Sequence, residues 1–454
     1  MSYPLGERVY TRQMTRRDFL WLTTVSTATT IAGCAVNPVT GKNQLMLVSE
    51  GQEIQLDKEK SPHQFSADYG ILQDKSLNSY VNKLGHSLAE RTHRPQMPYS
   101  FQGVNATYVN AYAFPGGSIA TTRGILVALK NEAELAGLLG HELGHVNARH
   151  TASRMSKNML IGTTLALGTT ILSASDKYKK YAPIIAGLGQ LGTGMLLAHY
   201  SRSDERQADA LGMEYMTKSG LSPNGMVGLM ELLGTLSKHK PSVIEMMFST
   251  HPMSSERYQT AQAASKTTYR KIAKSLPLNR DRYMDHTAKL RRDKKAIEAM
   301  QQGEKEMRKE QFSQAERLFK KALKQSPQDY AALMMMAKCQ LSQEKLNTAT
   351  RYANLAKQVN PTEAQAHHVG GIAKLMSDKF NSAYQDFKVY EKMLPGNANT
   401  SFLKGMALEG MQDKKNAANE YARFLKASNQ GEQAEHARQR LMNWGYLRPS
   451  PKRR

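Results

Sequence analysis

The sequence predicts a mainly α-helical protein in two parts, an α+β domain with a small sheet followed by an all-α solenoid of repeats. Two observations predict the first part: a Gly-containing helical pattern over residues 131–146, and β-type segments on either side of a Pro-Gly-Gly turn at 115–117. The third observation is a strict period of 34 residues in the second half. A length of 454 residues suits two or three domains.

The helix at 131–146 contains the pattern His-Glu-x-x-His. Asn131 and Glu134 form a variant capping box at its start, and His141 and His145 project four residues apart from one face. Two imidazoles at this spacing can bind one zinc ion, with Glu142 beside them to activate water. The alternative is a buried helix whose polar residues are satisfied by neighbours; the surrounding sequence favours the metal site.

Three glycines share the opposite face of this helix: Gly137, Gly140 and Gly144. Each costs about 1 kcal/mol relative to alanine in a helix interior. They therefore predict the close approach of another backbone.

A second helix is predicted from Ser201 to about Gly220, with Glu205 and Asp209 on one face. A catalytic zinc typically takes three protein ligands, so Glu205 is the candidate third ligand. Asp209 is then the candidate outer acceptor that orients a ligating imidazole. The alternative for both residues, a solvated helix face, is disfavoured by the His-Glu-x-x-His helix.

Two further polar residues follow, His251 just before a proline and Arg257 six residues later. Both could donate to an oxyanion, or His251 could occupy the open position on zinc. A purely structural role remains an equal alternative for each.

The β-type segments predict a strand at Tyr99–Val104 and another beginning at Asn110. Proline is confined to edge strands and turns, which makes the segment at 110–113 a candidate edge strand. An extended peptide substrate could add to this edge along Asn110, Ala111, Tyr112 and Ala113. A plain β-hairpin is the alternative.

Residues 1–33 are predicted to be a twin-arginine-type lipoprotein signal peptide. Thr15–Leu20 resembles a twin-arginine export signal, and Ile31–Cys34 resembles a bacterial lipobox. Cys34 would then carry acyl chains and place the protein on the periplasmic side, anchored to the inner or the outer membrane. The alternative is an uncleaved signal anchor.

The formal net charge of +23 raises nucleic acid or an anionic membrane surface as partners. No nucleic-acid-binding signature accompanies the charge, so a membrane is the expected partner and nucleic acid is not. Only Cys34 and Cys339 occur, which excludes a disulfide framework. Two apolar stretches, Met159–Ser173 and Ala182–Ala198, predict a helical hairpin that covers the site or touches the membrane.

The second half of the chain repeats every 34 residues, a period typical of tetratricopeptide repeats. The repeating positions are Ala315, Ala349, Ala383 and Ala417; Pro327, Pro361 and Pro395; and Gly303, Gly371 and Gly405, with Ala337 in the fourth small position. The predicted division is a helical linker at 266–295, four repeats at 296–430, a capping helix at 431–446 and a basic tail at 447–454. We expect the concave surface of the array to face a protein partner or client.

Together these motifs resemble the M48 family of zinc metallopeptidases, in particular exported bacterial members with C-terminal tetratricopeptide repeats, and residues 34–265 would be the protease domain. The resemblance implies a zincin-type (gluzincin) fold and one Zn²⁺ per chain on His141, His145 and Glu205, with Glu142 as general base. It further implies that His251 and Arg257 stabilise the tetrahedral intermediate, although in some members the equivalent histidine plugs the zinc. Gln207 departs from the glutamate of many members and lies outside the catalytic roles that the resemblance implies.

The expected function is a zinc-dependent metalloendopeptidase of the bacterial cell envelope that hydrolyses misfolded or unassembled envelope proteins. The repeats would dock the client or a partner, with the outer-membrane assembly machinery as one candidate. The alternatives are an envelope chaperone or scaffold with a vestigial zinc site, and a protein that remodels or tethers membranes.

Overall fold

A computed structural model of the chain describes residues 34–161, 200–239 and 241–447. The predicted signal peptide, most of the apolar hairpin and the tail from 448 onward lie outside these ranges. Among the helices of the described residues, none is both long and apolar enough to cross a bilayer.

The first half contains two small sheets and eleven helices among the described residues. The strands are β1 (Cys34–Val36), β2 (Asn43–Leu45), β3 (Ser100–Val104), β4 (Ala111–Ala113) and β5 (Ser118–Thr122). The helices are α1 (Glu50–Ala67), α2 (Lys75–Ala89), α3 (Arg123–Ala128), α4 (Glu132–Asn147), α5 (His150–Ile161), α6 (Arg202–Lys218), α7 (Asn224–His239), α8 (Pro241–Thr250), α9 (Ser255–Lys266), α10 (Arg270–Ala273) and α11 (Arg280–Arg292).

The larger sheet has the order β3-β5-β4, with β3 parallel and β4 antiparallel to β5. The register pairs Ala111 with Thr121 and Ala113 with Ile119. β4 is thus an edge strand, and it packs beside α4.

Helix α1 contains a proline in its interior. The helix continues through Pro62 to Ala67. Contacts with the second half hold its last turns, because the His63 ring bonds the Pro395 carbonyl at 2.8 Å and the Ser66 hydroxyl donates to Glu363. Tertiary contacts here outweigh the local cost of proline.

The second half consists of paired helices, and the predicted mainly helical class with small sheets is confirmed. The first helices of the repeats are α12 (Lys294–Arg308), α14 (Tyr330–Ser342), α16 (Gln365–Met376) and α18 (Ala398–Gly410). The second helices are α13 (Phe312–Gln325), α15 (Leu346–Val359), α17 (Phe380–Met393) and α19 (Lys414–Ala427), and α20 (Glu432–Asn443) ends the array.

Within a repeat, a glycine on the first helix packs against an aromatic ring on the second helix. A Cβ atom on Gly303 would lie 2.3 Å from the ring of Phe319, and one on Gly371 would lie 2.6 Å from Phe387. The absence of a side chain on the first helix therefore makes room for the ring on the second.

The inner face of the array, formed by the first helices, is partly covered by the first half of the same chain. Consecutive first helices contact one another, which makes theirs the tighter, concave side. The Thr107 hydroxyl donates to Glu304 at 2.5 Å, and Lys338 lies 4.7 Å from the ring centre of Tyr69. The buried ion pair of Arg123 with Asp329, at 2.6 Å, adds to this contact. The first half of the chain therefore partly covers the concave surface of the first two repeats.

Candidate metal centre

Close packing of α4 on α6 places the two predicted motifs side by side. A Cβ atom on Gly144 would lie 2.8 Å from Cα of Ala208, and one on Gly140 would lie 2.9 Å from the carbonyl oxygen of Gly212. Glycine on α4 thus permits a helix separation that a larger residue would prevent. As a result Glu205 and Asp209 on α6 face the histidines of α4.

Four buried side chains converge on one point, and we call them the metal-ligand cluster: His141, His145, Glu205 and His251. Nε2 of His141 lies 3.0 Å from Nε2 of His145 and 3.3 Å from Nδ1 of His251. Oε1 of Glu205 lies 3.4 Å from Nε2 of His145 and 3.0 Å from Nδ1 of His251.

The metal-ligand cluster fits a tetrahedral zinc ion. Corners separated by about 3.3 Å surround a centre about 2.0 Å from each, which is the length of a zinc–nitrogen bond. Three ring nitrogens and a carboxylate oxygen are also the donor types that zinc prefers. Without a cation, several lone pairs would face one another in a buried space, which is unfavourable.

Asp209 and Arg257 form an outer layer behind the cluster. Oδ1 of Asp209 lies 2.9 Å from Nδ1 of His141, so the carboxylate orients this imidazole. Arg257 donates to both oxygens of Asp209 at 2.7 Å, and its Nη1 lies 2.6 Å from Glu205. Burial alone would raise the pKa of Asp209, but hydrogen bonds from Arg257 and His141 outweigh it and lower the pKa.

The contacts of Arg257 in this structure are with the outer layer and the metal-ligand cluster. Its guanidinium is engaged by two carboxylates and by the Pro252 carbonyl at 3.0 Å. In this structure its Nε, Nη1 and Nη2 atoms each contact a group in the outer layer or the cluster.

Glu142 is fully buried beside the cluster, and neither of its carboxylate oxygens has a hydrogen-bond partner in the described part of the chain. The nearest ionisable nitrogen is Nε2 of His251, at 3.7 Å from Oε1. Burial raises the pKa of Glu142, opposed by the charges of His251 and His141. A buried, unpartnered carboxylate with a raised pKa is suited to accepting a proton.

His251 follows α8 directly and lies inside the cluster. Tyr200 packs against the same group: its ring stacks on His145 with centres 3.7 Å apart, and its backbone N–H donates to the Thr250 carbonyl at 3.1 Å. The cavity beside His141 and His251 measures only about 10 Å³. In the described residues the site is therefore closed around its four donors.

The segment proposed to bind a peptide includes the edge strand of the sheet, and its side chains are buried. One side of β4 pairs with β5. Asn110 lies just before β4, and its buried side-chain oxygen has no hydrogen-bond partner among the described residues. Residue 109 is tied to the helix that leads to His251, because the Val109 N–H donates to the Val243 carbonyl at 2.9 Å. The residue that precedes Asn110 therefore contacts α8, the helix that leads to His251.

Three residues of the site escape the motif pattern: His150, Tyr200 and Gln207. Nδ1 of His150 lies 2.9 Å from Nδ1 of His145. Nε2 of His150 lies 3.1 Å from the side-chain oxygen of Gln207. The sequence assigns Gln207 to no catalytic role, yet it lies two hydrogen bonds from the cluster. Two signals were available in the sequence: Gln207 lies two residues after Glu205 on the same helix, and it stands where many members of the resembled family have glutamate.

Comparison with known proteins agrees with a chain whose first half contains the candidate metal centre and whose second half consists of helical repeats. The family model described as peptidase family M48 matches residues 75–265, and the model described as a tetratricopeptide repeat matches residues 306–372. The chain is 27% identical over 222 residues to the β-barrel assembly-enhancing protease of Yersinia pestis, which covers 47% of this chain and 45% of the relative.

Two other relatives share the first half. Metalloprotease YcaL of Escherichia coli strain K12 is 32% identical over 163 residues, covering 36% of this chain and 60% of the relative. Mitochondrial metalloendopeptidase OMA1 of Arabidopsis thaliana is 26% identical over 217 residues, covering 48% and 41%. The chain thus spans less than two thirds of each of these relatives.

Proposed function

We propose that this chain, which contains a peptidase family M48 domain followed by tetratricopeptide repeats, is a zinc-dependent metalloendopeptidase of the bacterial cell envelope. The observation that carries the proposal is the buried cluster of His141, His145, Glu205 and His251 with the unpartnered Glu142 beside it. A scaffold with a vestigial site would be expected to lack the base or a ligand, and all of them are present.

His141, His145 and Glu205 would hold the zinc ion. When bound, zinc polarises the scissile carbonyl and lowers the pKa of a water molecule toward ~7. Glu142 accepts the proton of the attacking water and then delivers it to the leaving amine, a role that its burial and raised pKa favour. Asp209 holds His141 in the tautomer whose Nε2 faces the cluster.

His251 would be the fourth donor to the zinc ion, at the position that a catalytic site keeps open. Its Nδ1 lies within 3.3 Å of both His141 and Glu205, and the adjoining cavity has room for about one water molecule at most. We assign the structure to a resting state in which His251 must leave before substrate enters. The movement of α8 that frees His251 would also release Val109 beside the substrate strand.

Protein clients would bind in extended form, antiparallel to β4 along Asn110, Ala111, Tyr112 and Ala113. Backbone pairing at a sheet edge accepts many sequences, which suits an enzyme that acts on misfolded or unassembled envelope proteins. The similarity to proteases named for β-barrel assembly supports this class of client.

The repeats would dock the client or a partner protein, such as the outer-membrane assembly machinery, through the part of the inner face that the first half leaves uncovered. A cavity of about 750 Å³ remains at the far end, between α18 and α20, lined in part by Met406, Arg440 and Trp444. Contacts with the protease half hold the first two repeats and reach Pro395 at the end of the third, so the fourth repeat is the region that they leave accessible.

The periplasmic side is the proposed location, with lipid on Cys34 as the anchor. Lipobox-like residues before Cys34 support this assignment. Growing cells with labelled palmitate should label the wild type and fail to label Cys34→Ala. Equal labelling of both proteins would refute the lipid anchor.

The enzymatic proposal is tested with zinc-stripped protein and an unfolded protein substrate. Cleavage should be absent after stripping and return with one equivalent of zinc. A protein that prevents client aggregation equally well with and without zinc, and cleaves in neither state, would instead be a chaperone.

A further inference from the structure

A chain of two hydrogen bonds leads away from His145. Nδ1 of His145 lies 2.9 Å from Nδ1 of His150, and Nε2 of His150 lies 3.1 Å from the side-chain oxygen of Gln207. His145 is 1% exposed and His150 is 7% exposed, so water does not compete strongly for these contacts. The proposed mechanism gives neither His150 nor Gln207 a task.

Only one arrangement of protons satisfies this chain when a metal is bound. Nε2 of His145 faces the metal-ligand cluster and must be unprotonated to act as a ligand, so the ring proton is on Nδ1. That N–H donates to Nδ1 of His150, whose own proton is therefore on Nε2. Nε2–H then donates to the amide oxygen of Gln207, which can only accept.

The backbone brings His150 to this position by a turn that helical spacing would not predict. Helix α4 ends at Asn147, and Arg149 adopts a left-handed conformation with φ of 56°. The Arg149 side chain secures the turn by donating to Glu53 at 3.1 Å and to the Val48 carbonyl at 2.8 Å. A strained residue held by two partners indicates that the position of His150 is specified by the fold.

We propose that His150 and Gln207 are positioning residues that hold His145 in its zinc-binding tautomer, as Asp209 does for His141. The two zinc imidazoles then have unlike supports: a charged carboxylate behind His141, and a neutral imidazole and amide behind His145. A neutral support makes His145 the weaker donor, because a carboxylate partner raises the basicity of a ligating imidazole.

Asp204 is the other acceptor near His150, but it does not replace Gln207. Its Oδ1 lies 3.6 Å from Nε2 of His150, beyond hydrogen-bond distance. Its other carboxylate oxygen, Oδ2, accepts from the backbone N–H of Ser201 at 3.0 Å and so caps helix α6. Asp204 thus serves the helix terminus, and Gln207 completes the chain.

The test is the zinc dissociation constant, measured on the full chain by competition with a chromophoric chelator. His150→Phe should weaken zinc binding by about 10- to 100-fold, Gln207→Met should weaken it less, and Gln207→Glu should tighten it. His93→Phe is the matched control, since His93 is bound to Tyr215 at 2.7 Å and belongs to neither the cluster nor its outer layer. It should leave zinc affinity unchanged.

Nitrogen-15 NMR of the zinc-loaded wild type should show His150 protonated on Nε2 and unprotonated on Nδ1. Wild-type zinc affinity in both His150→Phe and Gln207→Met would overturn the proposal, as would the opposite tautomer of His150. If His150→Phe fails to fold, the zinc affinities of Gln207→Met and Gln207→Glu test the proposal. Because zinc binding is itself proposed above, a wild type without zinc affinity would refute that function, whereas equal affinity in wild type and variants refutes only the positioning role.

Discussion

The Nε2 atoms of His141 and His145 lie 3.0 Å apart, and both side chains are buried. A cation bound by both atoms would use both lone pairs, whereas two protonated rings at this separation would repel each other. Zinc binding should therefore stabilise the protease half. At a free zinc concentration 100 times the dissociation constant, the gain in unfolding free energy is about 2.7 kcal/mol.

Thermal unfolding of the wild type with zinc and with chelator measures this gain. His141→Ala is the control, and its melting temperature should be insensitive to zinc. Magnesium should not replace zinc, because it prefers oxygen ligands in octahedral geometry. Identical melting of the wild type with zinc and with chelator would contradict the metal site.

Replacing His251 distinguishes its two possible roles. If it is the resting ligand, His251→Ala should cleave an unfolded protein several-fold faster than wild type and bind zinc less tightly. If it instead stabilises an oxyanion, cleavage should fall by about 10²- to 10³-fold. His286→Ala, which changes an exposed histidine stacked on Tyr80, should leave the cleavage rate unchanged.

The contact of α4 with α6 can be tested with a pair of glycine variants. Gly144→Ala places a Cβ atom 2.8 Å from the backbone of Ala208 and should lower the unfolding free energy by about 1–3 kcal/mol. Zinc affinity should fall as well, because Glu205 is displaced with α6. Urea unfolding and chelator competition measure the two effects.

Gly234→Ala is the matched control on helix α7, where a Cβ atom meets nothing within 4 Å. Alanine there should stabilise the protein by up to about 1 kcal/mol, through helix propensity alone. Equal effects of the two substitutions would show that α4 and α6 are not in close contact.

The sequence predicts the helical parts of the site better than its connections. The spacing of His141 and His145 follows from helix geometry, and Gly140 and Gly144 foretell the approaching backbone. His150 is different, because the left-handed Arg149 separates it from α4 and removes any helical register. No sequence pattern reveals that Arg257 contacts Asp209 and Glu205, because the arginine lies on a separate helix about 50 residues away.

Within the repeats, two departures from the 34-residue pattern share one physical cause. The second repeat has Ala337 where others have glycine, and Ala353 where others have an aromatic ring. In the other repeats, glycine makes room for the aromatic ring. Because the second repeat has no ring at this position, it has space for the Cβ atom of Ala337. The covered inner face could not be predicted in this way, because it depends on contacts between residues more than 200 positions apart, such as Arg123 with Asp329.

Asp386 should make the stability of the repeats depend on pH. Its carboxylate binds Lys357 at 2.6 Å, Lys374 at 2.7 Å and His367 at 3.0 Å. Burial alone would raise the pKa of Asp386, but these contacts lower it to about 2 from its ordinary 3.8. Asp386→Asn should therefore lower the unfolding free energy by about 2 kcal/mol at pH 7.

The direction of the pH dependence follows from the lowered pKa of Asp386 in the folded state. The stabilisation is complete above about pH 5 and is lost as the pH falls from about 4 to about 2, so the two proteins should converge at acid pH. Urea unfolding at pH 7, 4 and 3 measures the difference. Asp281→Asn is the control, since its side chain is 97% exposed and should have little effect. A difference that grows toward acid pH would contradict this role of Asp386.

The most direct measurement concerns Glu142, whose carboxylate is buried beside the metal-ligand cluster without being part of it. Glu142→Gln keeps the shape of the side chain and removes its capacity to accept a proton. The variant should bind one zinc ion with wild-type affinity and cleave an unfolded protein more slowly, by on the order of 10²- to 10⁴-fold. Cleavage by the zinc-loaded variant at the wild-type rate would contradict the proposed endopeptidase mechanism.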